Sequence, residues 1–160
     1  MSDVIILEIP DIKGNCQING HKDKILIDSY SHGVNLPMQG DVANTERTAG
    51  RPTFTEMSLR KMSDLSTTEL YKHCTQGKKA SVAKLFVGRV EDGNFMNFFT
   101  YEMKNAMIST ISTSGGGGIP SDSFSLNFTA LQCEFTQQNA DASQKGTSTW
   151  NWDLEAMKSA

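Results

Sequence analysis

No long apolar run exists in this 160-residue chain: the longest, Val4 to Leu7, is far shorter than a membrane span or a signal-peptide core, and Asp3 precedes it. The expectation is a protein without membrane insertion, made and folded in the cytoplasm, whose release would bypass the general secretory signal. Excess positive charge is missing too. A formal net charge of -3 supplies no basic footprint for nucleic acid. Paired cysteines are absent: Cys16, Cys74 and Cys133 are odd in number and widely spaced, which suits reduced thiols rather than a disulfide framework. Histidine constellations are also lacking. None of His21, His32 and His73 has a second ligand at metal spacing, and His73 and Cys74 diverge by about 100° as helical neighbours. Ser31 and His32, adjacent in a strand, point to opposite faces and make no nucleophile–base pair. The glycines Gly115 to Gly118 lack the lysine and helix of a phosphate loop. No catalytic, cofactor or metal residue is expected, and the chain does not read as an enzyme.

What is present is strand. A chain with 38% hydrophobic and 21% charged residues suits one soluble domain, 1–160, able to bury roughly two-thirds of its unfolded surface. From Asn94 to Phe135 it reads as two long strands joined by the four-glycine run. The first stays rich in aromatic, β-branched and Met residues for nearly twenty positions, against about five or six for a typical strand. It is expected to bend or change sheet midway. The return strand switches phase between Phe128 and Leu131, which a period-2 pattern does only through a bulge or bend. Both faces of this hairpin carry apolar residues, so one face suits a core and the other a neighbouring subunit.

Elsewhere, Val4 to Ile9 is a strand ended by Pro10, and a second runs from Lys24 with a phase slip near Ser29. Pro37 to Pro52 is polar and reads as a long exposed loop, a candidate contact arm. Thr53 to Met62 returns to strand. Ser66-Thr67-Thr68-Glu69 has the spacing of a capping box opening a helix over about 66–76, with Gly77 as its left-handed stop. Leu70 and Cys74 give that helix a narrow apolar stripe. Val82 to Val90 pairs back through the turn Glu91-Asp92-Gly93-Asn94. Gln137 to Gly146 reads as a polar loop, and Thr147 to Leu154 as a last strand whose Trp150 and Trp152 belong to core or interface.

The ordered set DIKG at Asp11 to Gly14, Tyr30-Ser31-His32-Gly33, Leu59-Arg60-Lys61 before Asp64 and Ser66, Cys74 with Gly77, Ser112-Thr113-Ser114 before the glycines, Ser125-Leu126-Asn127-Phe128 and Trp150-Asn151-Trp152 resembles the Hcp family, the tube proteins of the bacterial type VI secretion system. The likeness spans essentially the whole chain. It implies a mostly β fold, a barrel or sandwich of two packed antiparallel sheets with one short helix, forming hexameric rings that stack into a tube. The implied partners are further copies, a VgrG-type spike, a contractile sheath and small effectors in the lumen, with no nucleic acid. The resemblance also implies that the protein waits in the bacterial cytoplasm and is secreted on firing. Ser31 is the expected lumen contact for effectors. Gly40, Asp41, Arg47, Arg51, Asp92 and Asn94 are the expected ring-stacking positions. The competing readings are a phage-like tail-tube protein and a monomeric β-sandwich binding module.

Overall fold

The structure, a computed structural model, describes residues 3–39, 48–138 and 144–158. In chain order the elements are β1 (Asp3–Glu8), β2 (Ile25–Ile27), β3 (Ser29–Ser31), β4 (Val34–Asn35), β5 (Met38–Gln39), β6 (Thr48–Ala49), β7 (Thr53–Phe54), β8 (Met57–Met62), α1 (Ser66–Gln76), β9 (Ala80–Glu91), β10 (Asn94–Ser114), β11 (Ser121–Asn127), β12 (Ala130–Gln138) and β13 (Gln144–Asp153). Hydrogen-bonded neighbours follow the path β2-β1-β9-β10-β11-β8-β3. Its two ends, β2 and β3, are one stretch of chain broken only at Asp28, whose amide donates to the Arg60 carbonyl at 2.7 Å. The path therefore closes on itself as a barrel made of two sheets. The phase slip expected near Ser29 is this crossing.

The long strand β10 belongs to both sheets. Through Lys104 it is flanked by β9 and β12, and from Met107 it pairs with β11. The change falls at Asn105, which has a φ of 52°, a left-handed conformation that Asn tolerates better than most residues. Its amide nitrogen donates to the Thr129 hydroxyl at 3.0 Å, and the Thr129 amide donates to the Lys104 carbonyl at 3.0 Å. The return chain thus breaks opposite the bend, between β11 and β12, where its phase was expected to switch. β13 pairs outside β12. It begins at Gln144, so part of the stretch expected as a Gln137 to Gly146 loop is strand, and residues 139–143 lie outside the described region.

The expected loop from Pro37 to Pro52 is also partly a ladder. β5 pairs with β6, β4 pairs with β7, and the Gly50 amide donates to the Pro37 carbonyl at 2.7 Å. Backbone pairing satisfies polar groups that the side chains have too little apolar surface to bury. The Asp92-Gly93 turn has positive φ at both positions, 51° and 79°, as a tight hairpin requires.

Alternation decides the interior. β8 buries Met57, Leu59 and Lys61 and exposes Ser58, Arg60 and Met62. β11 buries Asp122, Phe124 and Leu126. These meet Leu7, Ile25, Leu85, Met103 and Leu131 from the other sheet, and Leu70 from α1. Two charges thus occupy core positions. Lys61 and Asp122 are direct cross-strand partners, both fully buried, and form an ion pair at 2.9 Å. Lys61 also reaches Asp64 at 3.0 Å and the Thr67 hydroxyl at 3.2 Å, while Asp122 accepts from Ser63, Thr67 and Thr113. This network fastens the start of α1 to both strands.

It also changes how the helix is capped. Ser66 is the first helical residue rather than the cap; its hydroxyl donates to the Asp64 carboxylate, and its amide donates to the same oxygen at 2.8 Å. The expected serine-to-Glu69 exchange does not form, because Lys61 draws Asp64 into the position from which it receives the first free amide. The stop is as expected: Gly77 has a φ of 61°, and the Lys78 amide donates to the His73 carbonyl at 3.0 Å.

Candidate functional site

The four strands β3, β8, β11 and β10 turn their non-core phase to one open face. Register aligns it into rows: Ser31, Ser58, Ser125 and Thr110 in one, Ser29, Arg60, Ser123 and Ser112 in the next. At about 4.8 Å between strands, each row spans about 14 Å. The rows line a depression of about 300 Å³, and Arg60 is the single charged residue among those lining it. Hydroxyls both donate and accept, so this surface holds water or polypeptide backbone without demanding one sequence.

Glu56 continues the same phase along β8 but is engaged, accepting from the Ser109 hydroxyl at 2.5 Å and the Asn127 amide at 3.2 Å. Ser31 stands in the first row, where its neighbour His32 turns to the opposite side and packs on Phe54, Tyr101 and Phe128 at ring separations of 6.4, 6.3 and 5.7 Å. The two side chains diverge as alternation requires. Burial among these rings lowers the pKa of the His32 imidazole below its ordinary value.

That opposite side carries the second feature. The core-facing phase of the first sheet runs from Ala83, Met103, Leu131 and Trp152 through Leu85, Tyr101, Cys133 and Trp150 to Val87, Phe99 and Phe135. Exposure rises along that direction, reaching 43% at Trp150 and 39% at Phe135. Apolar side chains in core phase therefore continue past the end of the barrel into solvent. Phe54 stacks on Trp150 at 6.0 Å, and Phe99 packs on Tyr101 at 5.4 Å and Phe135 at 4.8 Å. Val34, which pairs with Phe54, is exposed. Burial pushes the Cys133 thiol up, partly offset by its contact with Tyr101, which favours the thiol form. Among the described residues no three His, Cys, Asp or Glu side chains converge as a metal site, and no helix is long and apolar enough to cross a membrane.

Of the expected stacking positions, Arg51 is exposed on the arm and Asp92 and Asn94 are exposed at the β9–β10 turn; no hydrogen bond or ion pair joins Arg51 to either. Gly40, Asp41 and Arg47 lie outside the described residues. The hydroxyl rows as a set were not anticipated beyond Ser31. Their signal was the serine alternation in Ser121-Asp122-Ser123-Phe124-Ser125, whose alignment with β3 and β8 depends on register.

A family model for the type VI secretion system effector Hcp matches residues 6–135. Protein hcp1 of Pseudomonas aeruginosa is 26% identical over 153 residues, covering 94% of each chain. Among solved structures, one described as a type six secretion system protein superposes with a TM-score of 0.91 at 15% identity, over 99% of this chain and 100% of the other. Hcp1 from Salmonella typhimurium superposes with a TM-score of 0.81 at 20% identity, over the whole of both chains. At those identities the superpositions speak for the fold.

Proposed function

This chain belongs to the Hcp family of type VI secretion system proteins, and from that premise we propose that it builds the tube of that machine as six-membered rings stacked one on another. The observation that carries the ring is the aromatic surface on which Phe135 and Trp150 stand exposed in core phase, with half-buried Phe99 and Phe54 packed beside them. A ring closes through one patch meeting a different patch on the next copy, which buries such a surface without leaving an open polymer. At about 25 cal/mol per Å² of apolar area, burying even part of these rings contributes several kcal/mol before association costs.

The hydroxyl-lined face then turns to the lumen, where a wetted, sequence-tolerant wall suits passing effectors, and Ser31 is a contact for them. The arm, with Gly40, Asp41, Arg47 and Arg51, and the turn at Asp92 and Asn94 meet the rings above and below. In this reading the tube assembles inside a contractile sheath in the bacterial cytoplasm and leaves with a VgrG-type spike at its tip. The protein acts as structure and carrier, without turnover.

Solution mass by light scattering, paired with negative-stain imaging, tests the ring. Six chains and annular particles are expected. A clean monomer at working concentration would overturn the reading in favour of a monomeric β-sandwich binding module. For the lumen contact, Ser31→Gln is expected to leave rings intact and abolish co-purification of effectors; unchanged effector recovery would remove Ser31 from that role.

A further inference from the structure

We propose that Arg60 makes the hydroxyl-lined face selective for acidic polypeptide segments, with its guanidinium gripping a carboxylate of the passing chain. This rests on the ring reading for its orientation toward a lumen. Arg60 is exposed in the middle of the face, flanked in register by Ser29 on one side and Ser123 on the other. It forms no ion pair or side-chain hydrogen bond with any described residue. Glu56, in the same strand phase, is held by Ser109 and Asn127, and the Asp28 amide donates to the Arg60 backbone carbonyl.

A guanidinium presents a planar fork that matches two carboxylate oxygens, and the serines beside it offer hydroxyl donors. The chemistry favours carboxylate over a nucleic-acid backbone. Polyanion binding needs a run of cations that follows successive phosphates, whereas here each cation is ringed by neutral hydroxyls in a chain of net charge -3. One exposed ion pair is weak, but a ring offers one Arg60 per copy to a single threaded segment, and linked weak contacts multiply. Weak individual contacts also suit cargo that must leave.

The test uses purified protein, its mass measured alongside binding, with fluorescein-labelled oligoglutamate, oligolysine and single-stranded oligothymidine followed by anisotropy. Wild type is expected to bind oligoglutamate in preference to the other two, more weakly as salt rises. Arg60→Gln should lose about tenfold or more in oligoglutamate affinity with ring mass unchanged, and Arg60→Lys should fall between. Intact Arg60→Gln rings that bind oligoglutamate as wild type does would overturn the inference. So would oligothymidine binding as tightly as oligoglutamate, which marks a general anion site. A monomeric wild type whose oligoglutamate binding still needs Arg60 would overturn the ring reading and leave the acidic preference standing.

Discussion

Lys61 shows how much a single side chain can decide. Its strand phase, shared with Met57 and Leu59, was legible in the alternation; its partner Asp122, 61 positions away, was not, because only the β8–β11 register brings them together. Lys61→Met strands two carboxylates, one fully buried, and is expected to cost about 3–5 kcal/mol in chemical denaturation. Adding Asp122→Asn should return part of that loss by removing the buried negative charge. A double variant as unstable as the sum of the singles would mean the pair is uncoupled.

Burial pushes the Asp122 carboxyl up, but the donors Thr67, Lys61, Thr113 and Ser63 together hold it below the usual carboxylate range. Its stabilising contribution is then complete above the unfolded value near pH 4 and is lost as pH falls through the lower folded value. The histidines act earlier. Burial lowers His21, His32 and His73 below 6.5, so below that pH the unfolded chain takes up protons first and stability declines. Denaturation midpoints measured from pH 7 to pH 3 should fall in two stages, and His32→Phe should shallow only the first.

At the scale of elements, the length of β10, the phase switch opposite it, the Asp92-Gly93 turn and the helix span were all present as patterns in the sequence. The capping box was not a safe guide, because Ser66-x-x-Glu69 spacing says nothing of the lysine that recruits Asp64. Asp64→Ala is therefore expected to cost about 1–2 kcal/mol, and more than Ser66→Ala, in matched denaturation curves. The ladder within the arm was hidden because its pairing is carried by backbone, with few apolar residues to mark it. A second element-level constraint lies at the β9–β10 irregularity near Asn97. A Cβ on Gly88 would stand 2.0 Å from the Met96 carbonyl oxygen, so the strands must separate to admit one. Gly88→Ala should lower stability by about 1–3 kcal/mol; an unchanged denaturation midpoint would show that the bulge yields freely.

For the whole molecule, the surplus of apolar strand was the readable sign that one chain does not satisfy all its surfaces. Which aromatics would be left over was not readable, since Phe99 and Phe135 share the phase of buried Met103 and Leu131 and differ only in distance along the barrel. Phe135→Glu places a charge in that exposed stretch without entering the core. It is expected to reduce the solution mass from six chains to one while leaving the far-ultraviolet circular dichroism unchanged. Retention of full rings would move the subunit contact elsewhere. The position of Ser31 within two aligned hydroxyl rows was likewise a matter of register, although the alternating serines of β11 hinted at an open polar face.

The passage of β10 through both sheets has a mechanical consequence. Hydrogen bonds of antiparallel ladders lie across the strand direction, so a pull along β10 loads the bonds to β9 and β12 on one stretch, and to β11 on the next, in shear and side by side. Such a load must break many bonds together, whereas peeling breaks them singly. In a subunit of the proposed tube, a beam shared by both sheets takes up such a pull as one unit, where separate strands would yield one after another.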